Sequence, residues 1–119
     1  DATFNNIPKR YYSVVDGILG MEGNGPMDGS EKKCNVIIGG YDPVAVDTVC
    51  ATLMGFDWEK IPIIKNAFFM HKYPITDIEP DEIIIISDEK EWSGDLKNLQ
   101  NSKNYAFEPH FGWKGHIEL

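Results

Sequence analysis

Carboxylates set among glycines are the residues of this sequence whose chemistry could be put to work. Asp16, Glu22, Asp42 and Asp47 lie in the first half of the chain, and the stretch from Glu22 reads Glu-Gly-Asn-Gly-Pro-Met-Asp-Gly. Glycine lets a backbone approach a ligand closely and take positive φ. Gly23, Asn24 and Gly25 therefore read as a loop that could wrap a small molecule, with Asp16 and Glu22 at its near side. Asp42 precedes Pro43, the pattern of a helix start with an aspartate cap and proline in the first turn. A crevice where a strand's carboxyl end meets a helix N-terminus is the usual ligand position in open α/β sheets. Because the aspartate cap already occupies some of the helix's free N–H groups, a phosphate is disfavoured there.

Asp47 is the most informative of the four. Its helical neighbours at spacings of three and four are Val44, Ala51 and, one turn on, Met54. A carboxylate among such neighbours is expected to be buried, and a buried carboxylate must be paired or hydrogen-bonded. A backbone amide or the adjoining Thr48 is the plain partner; a metal or a reacting group is the functional one. The candidate ligand-binding set is thus Asp16, Glu22, Gly23, Asn24, Gly25, Asp42 and Asp47. If the carboxylates converge, they offer oxygen ligands suited to magnesium, calcium or manganese, which gives an alternative reading as a metal-dependent enzyme. Against both stands the plain account: Asp42 only caps its helix, and the glycines only shape a turn.

Other chemistry is poorly represented. No Gly-Lys-Ser/Thr follows the glycine-rich stretch, and no GxGxxG opens a helix after a strand. His110 and His116 are six residues apart, wider than a metal-binding pair on one helix face. His71 reads as a favourable charge at a helix C-terminus. Cys34 and Cys50 form no CxxC and no cluster spacing; both read as small buried hydrophobes. No catalytic residue and no metal set is assigned, and the cofactor is unknown.

These residues need elements to position them. Val14, Val15, Ile18 and Leu19 follow helical spacing, which predicts a helix over residues 9–21, although Gly17 and Gly20 weaken it. Residues 22–29 read as loop and 36–40 as a short apolar strand. A helix runs from Asp42 to Met54 and stops at Gly55; apolar nearly all round, it is expected to be buried. Asp57 caps a second helix that ends before Pro74. Residues 82–87 form a second strand, β-branched over Ile83, Ile84, Ile85 and Ile86, and a short helix lies near residues 95–99. The order strand, helix, helix, strand predicts an α/β fold with a small mostly parallel sheet and a strand-helix-helix-strand crossover. Both strands are apolar on successive residues, as in sheets covered on both faces. Two strands make a thin sheet, so further strands are expected, either near residues 3–7 and 104–107 or from other polypeptide.

The long ordered motif pair closely resembles the domain-of-unknown-function family 362. It consists of Asp16-Gly17-Ile18-Leu19-Gly20-Met21-Glu22-Gly23-Asn24-Gly25-Pro26, then Asp42-Pro43-Val44-Ala45-Val46-Asp47 followed by Leu53-Met54-Gly55. The resemblance covers roughly residues 13–65 and extends more loosely to the strand at 82–87. It implies no generally established activity. It does imply a protein longer than this chain, often with iron–sulfur cysteine clusters in a separate segment; no cluster-binding residue carries over to this sequence.

The 119 residues are 42% hydrophobic and 25% charged, which fits a single α/β domain over residues 1–119, read here as part of a longer protein. The net charge of −8 and the lack of a basic stripe argue against nucleic acid. No run approaches the ~20 apolar residues of a membrane span, and no signal peptide is visible, so a soluble, cytoplasmic protein is expected. The leading expectation is an uncharacterised ligand-binding or accessory domain, redox-associated in its full-length form. Its partner would be a small molecule or the remainder of its own chain. Besides the metal-dependent enzyme, a structural or homo-oligomerising domain is the third reading.

Overall fold

The computed structural model describes residues 3–4, 7–8, 10–70 and 72–119. Two short strands, β1 (Thr3–Phe4) and β2 (Ile7–Pro8), pair antiparallel. A long hairpin follows, made of β3 (Ser13–Asn24) and β4 (Asp28–Gly40). Then come α1 (Pro43–Met54), a 3-10 turn at Trp58–Lys60, and α2 (Pro62–Ala67). The chain continues through β5 (Ile84–Ile85), β6 (Gly94–Asp95) and α3 (Leu96–Gln100) to an irregular C-terminal segment.

The expected mostly parallel sheet with its crossover is overturned. Every strand pair is antiparallel: β1 with β2, β3 with β4, β5 with β6. The mixed α/β character stands, but the strand at 36–40 is the end of β4, paired with residues 13–17, and the strand at 84–85 pairs with Gly94 and Asp95. The predicted helix over residues 9–21 is irregular at residues 10–12 and β3 from Ser13 onward. Two apolar pairs, Val14-Val15 and Ile18-Leu19, cannot separate the two periods; the β-branched valines favour strand, and Gly17 and Gly20 weaken a helix. Side chains along β4 alternate as the pleat requires: Cys34, Val36 and Ile38 turn inward while Asn35 and Ile37 face out. The ladder shifts register between Gly17 and Leu19, a bulge of the kind that bends a strand. The expected loop at 22–29 is mostly strand as well, closing in a turn at residues 25–27 between the paired Asn24 and Asp28.

The expectation of α1 holds closely. Asp42 caps it, accepting from the amide of Ala45, with Pro43 at the start. Gly55 ends it in the left-handed conformation at φ 92°, which glycine takes without a Cβ penalty. Val44, Val46, Val49, Ala51 and Leu53 are buried. Around α1 the core gathers Phe56, Trp58, Ile64, Ile83, Leu96, Leu99 and Ile117. Thr48 and Thr52 are buried too, their hydroxyls donating to the carbonyls of Val44 (2.7 Å) and Thr48 (2.8 Å), so neither leaves an unmade hydrogen bond in the core.

Of the extra strands anticipated, the one near residues 3–7 has described counterparts in β1 and β2. Residues 104–107 are not strand, yet they lie along the end of α1, with Tyr105 N donating to Leu53 O (2.8 Å) and Phe107 N to Met54 O (2.7 Å). No described helix is long and apolar enough to cross a membrane.

Candidate functional site

The candidate residues fall into three separate places. Glu22, Gly23 and Asn24 sit at the far end of the hairpin. Glu22 Oε2 accepts from the amide of Glu108 at 2.8 Å and pairs with Lys32 Nζ at 3.5 Å. Gly23 N donates to Glu108 O at 2.7 Å, and Asn24 Oδ1 accepts from Phe111 N at 2.9 Å. Lys32 also reaches Ala106 O and lies over the Phe107 ring. The polar groups of this motif therefore clasp the C-terminal segment. Gly25 stands in the turn beside the Met21 side chain. Asp16 lies further down β3 opposite Ile37, its Oδ1 accepting from Ile18 N at 3.2 Å, where it supports the bulge.

Asp42 belongs to the other end of the hairpin. β3 and β4 pair Ser13 with Gly40 and Glu22 with Ser30. The Glu22 pair therefore lies roughly 30 Å along the ladder from the Gly40 pair that precedes Asp42. The two motifs do not share one crevice. Asp42 Oδ1 holds the α1 amide, and Oδ2 accepts from the Thr76 hydroxyl, whose oxygen in turn accepts from Ile78 N at 3.2 Å. The carboxylate thus fastens the connector after α2 to the start of α1. Arg10 stacks over Tyr41 at 5.1 Å, and Tyr12 meets the same ring edge-on at 4.7 Å.

A cavity of about 330 Å³ opens beside Asp42. Residues 36–40 of β4 form one wall and residues 82–87 around β5 another, with Val46, Val49, Leu53 and Trp92 between them. Among the described residues β4 is paired along one edge, to β3, and β5 along one edge, to β6. Among the described residues no backbone hydrogen bond reaches the second edge of either strand at this cavity. Ile37 is 65% exposed, Ile84 67% and Ile86 94%.

Asp47 is in the third place. Contrary to the expectation of a buried, paired carboxylate, it is exposed, and no hydrogen bond or ion pair to it occurs among the described residues. The hydroxyls of Thr48 and Thr52 serve the helix itself and leave Asp47 turned outward. It stands at the rim of an apolar cleft between α1, α2 and the C-terminal segment. There, partial burial raises its carboxyl above the usual range. The same desolvation, helped by the Asp47 charge, pushes the Cys50 thiol up to about 11.

No metal centre forms from these groups: among the described residues, no three of His, Cys, Asp and Glu are placed to hold an ion. His110 Nδ1 accepts from Gly112 N at 3.2 Å, while His116 follows at the end of the same turn. His71 lies outside the described residues. The sequence reading missed the C-terminal segment, which bonds to both the hairpin tip and α1 and contributes Trp113 and Ile117 to the Asp47 cleft. Its density of aromatics between Tyr105 and Trp113 was the available signal, since such side chains offer large apolar area for contact.

Compared with known proteins, residues 2–52 match the model of a family described as Domain of unknown function (DUF362). The matched span runs through the hairpin and into α1, and includes the stretches 16–26 and 42–47 but not Leu53-Met54-Gly55. No curated protein and no solved structure matches the chain.

Proposed function

Since residues 2–52 belong to the DUF362 family, we propose that this chain is an accessory domain that binds extended polypeptide: it accepts a strand in the cavity between β4 and β5. The strand is supplied by another part of a longer DUF362 protein. One observation carries the reading, namely that two strands, each with one edge unpaired among the described residues, face the same cavity. Unpaired edges are templates for a further strand, and natural proteins normally cover or charge them. Here they carry Ile37, Ile84 and Ile86, exposed and uncharged. A strand laid between them would take backbone hydrogen bonds from both sides, with alternate side chains entering the apolar floor, as in strand-addition recognition. The ligand role suggested for Asp42 is reassigned in this reading to holding the cavity's mouth through Ala45 and Thr76.

Amide hydrogen exchange tests it. The probe is a nine-residue peptide of alternating valine and threonine with a terminal lysine, compared with the same peptide N-methylated at every second residue. The plain peptide should slow exchange at the amides of residues 36–39 and 84–86 by at least about tenfold, and the N-methylated peptide should not. If both peptides act alike, or if neither protects these amides, the strand-acceptor reading is wrong.

A further inference from the structure

The cleft that carries Asp47 is remote in chemistry from the strand edges and is built from other elements. Asp47, Cys50, Ala51 and Met54 lie three, four and seven residues apart, which places them on one face of α1. Ile61 and Ile64 close one side, and Trp113 and Ile117 close the other, around about 390 Å³. That volume is at the small end of ligand sites. The lining is apolar apart from two groups. The Cys50 thiol is held neutral at ordinary pH by burial and by the neighbouring carboxylate. Asp47 is then the sole charge lining the cleft, and it has no cationic partner among the described residues. Lys60 of the 3-10 turn is engaged on the Glu118 carbonyl, and Lys114 of the C-terminal segment on the Glu108 carboxylate.

We infer that this cleft binds a small organic cation, an ammonium group carried on a hydrocarbon body. The body lies on Met54, Ile61, Ile64 and Ile117, and the ammonium sits between the Asp47 carboxylate and the Trp113 ring. Burial of the body supplies most of the attraction. The carboxylate sets the sign of the ligand, and an aromatic face adds a second preference for positive charge. Asp47 is only partly desolvated, so the charge preference should have the size of one favourable ion pair at a protein's edge. The inference stands or falls independently of strand binding, because none of the cleft residues lines the β4–β5 cavity.

The experiment titrates three six-carbon probes, hexylammonium, hexanol and hexanoate, into the isotopically labelled chain and follows backbone amide shifts. Hexylammonium should move the signals of residues 47–54, 61–64 and 113–117 and bind about fivefold more tightly than hexanol, with hexanoate weakest. Asp47→Asn should bring hexylammonium down to the level of hexanol while leaving the amide spectrum of the core unchanged. Shifts confined to other parts of the protein would overturn the inference. So would equal binding of the three probes by the wild-type chain, or an undiminished ammonium preference in Asp47→Asn.

Discussion

The β3–β4 hairpin and the helical core place their apolar residues differently. In the hairpin, Val14, Ile18, Leu19, Met21 and Ile37 are exposed, and the inward row is relieved by Gly17 and Gly20. Around α1 the same residue types are buried on nearly every side, and even the two threonines are sealed in and bonded within the helix. The hairpin is held by its own ladder and by a polar clasp to residues 106–111, whereas the core is held by exclusion of water. The radius of gyration, 15.3 Å, exceeds the about 13.5 Å of a compact domain of this length, as a projecting two-stranded arm requires. A two-stranded hairpin is marginal by itself, so its stability should depend on few, identifiable contacts.

The sharpest way to break this contrast is to damage the core. Leu99 is 2% exposed, and Leu99→Ala should cost about 2–5 kcal/mol, read as a drop in the denaturant midpoint for the whole chain. A loss below about 1 kcal/mol would mean that the helices pack more loosely than their burial indicates. The clasp comes next. Glu22→Ala removes the acceptor of both Lys32 and the Glu108 amide, and should cost about 1 kcal/mol. Its signature is faster amide exchange confined to the hairpin tip and residues 106–111, with α1 unaffected. If α1 loosens equally, hairpin and core are one cooperative unit and the contrast fails.

The smallest effect is expected at Asp47. Burial raises its carboxyl above the usual range, so the folded chain holds that proton more tightly than the unfolded one. This favours the fold below the ordinary carboxylate pKa and is lost as pH rises through the raised value. Asp47→Ala should therefore stay within about 0.5 kcal/mol of wild type. The variant should gain slightly on wild type as pH rises through the carboxylate range. Parallel urea titrations across that range would show it, and a stability loss that grows with pH would contradict it.

How legible this was in the sequence varies with the kind of signal. The caps of α1 were plain because Asp42-Pro43 and Gly55 act locally, through groups within a turn of them. The cap of α3 at Asp95 was equally local. Strand pairing was not legible, because it depends on contacts between two segments and not on groups within one turn. Residues 13–24 met their partner through a three-residue turn at Gly25, where glycine and proline had been read as open loop. Ile83 and Ile84 looked alike in sequence, yet one is 4% exposed and the other 67%; the packing of the helical core against one face decides which is covered. At the candidate site, Asp47 was expected inside because its neighbours are apolar. The two threonines beside it met their own needs with i−4 carbonyls, and no buried donor remained to require the carboxylate.

The C-terminal segment has a mechanical consequence. Its attachments run in sequence: Tyr105 to Leu53, Phe107 to Met54, Glu108 to Gly23, Phe111 to Asn24, then Ile117 to Asp57 and Leu119 to Gly55. Tension applied at Leu119 would load these bonds one after another, as in peeling, and not all at once, as in shear. Each step would break one or two hydrogen bonds, and the first would also expose the apolar surface that Ile117 covers. Ile117 would be drawn out of the core early, and the bonds to the end of α1 at Tyr105 and Phe107 would be loaded last, so the tail would yield in steps and not in a single event.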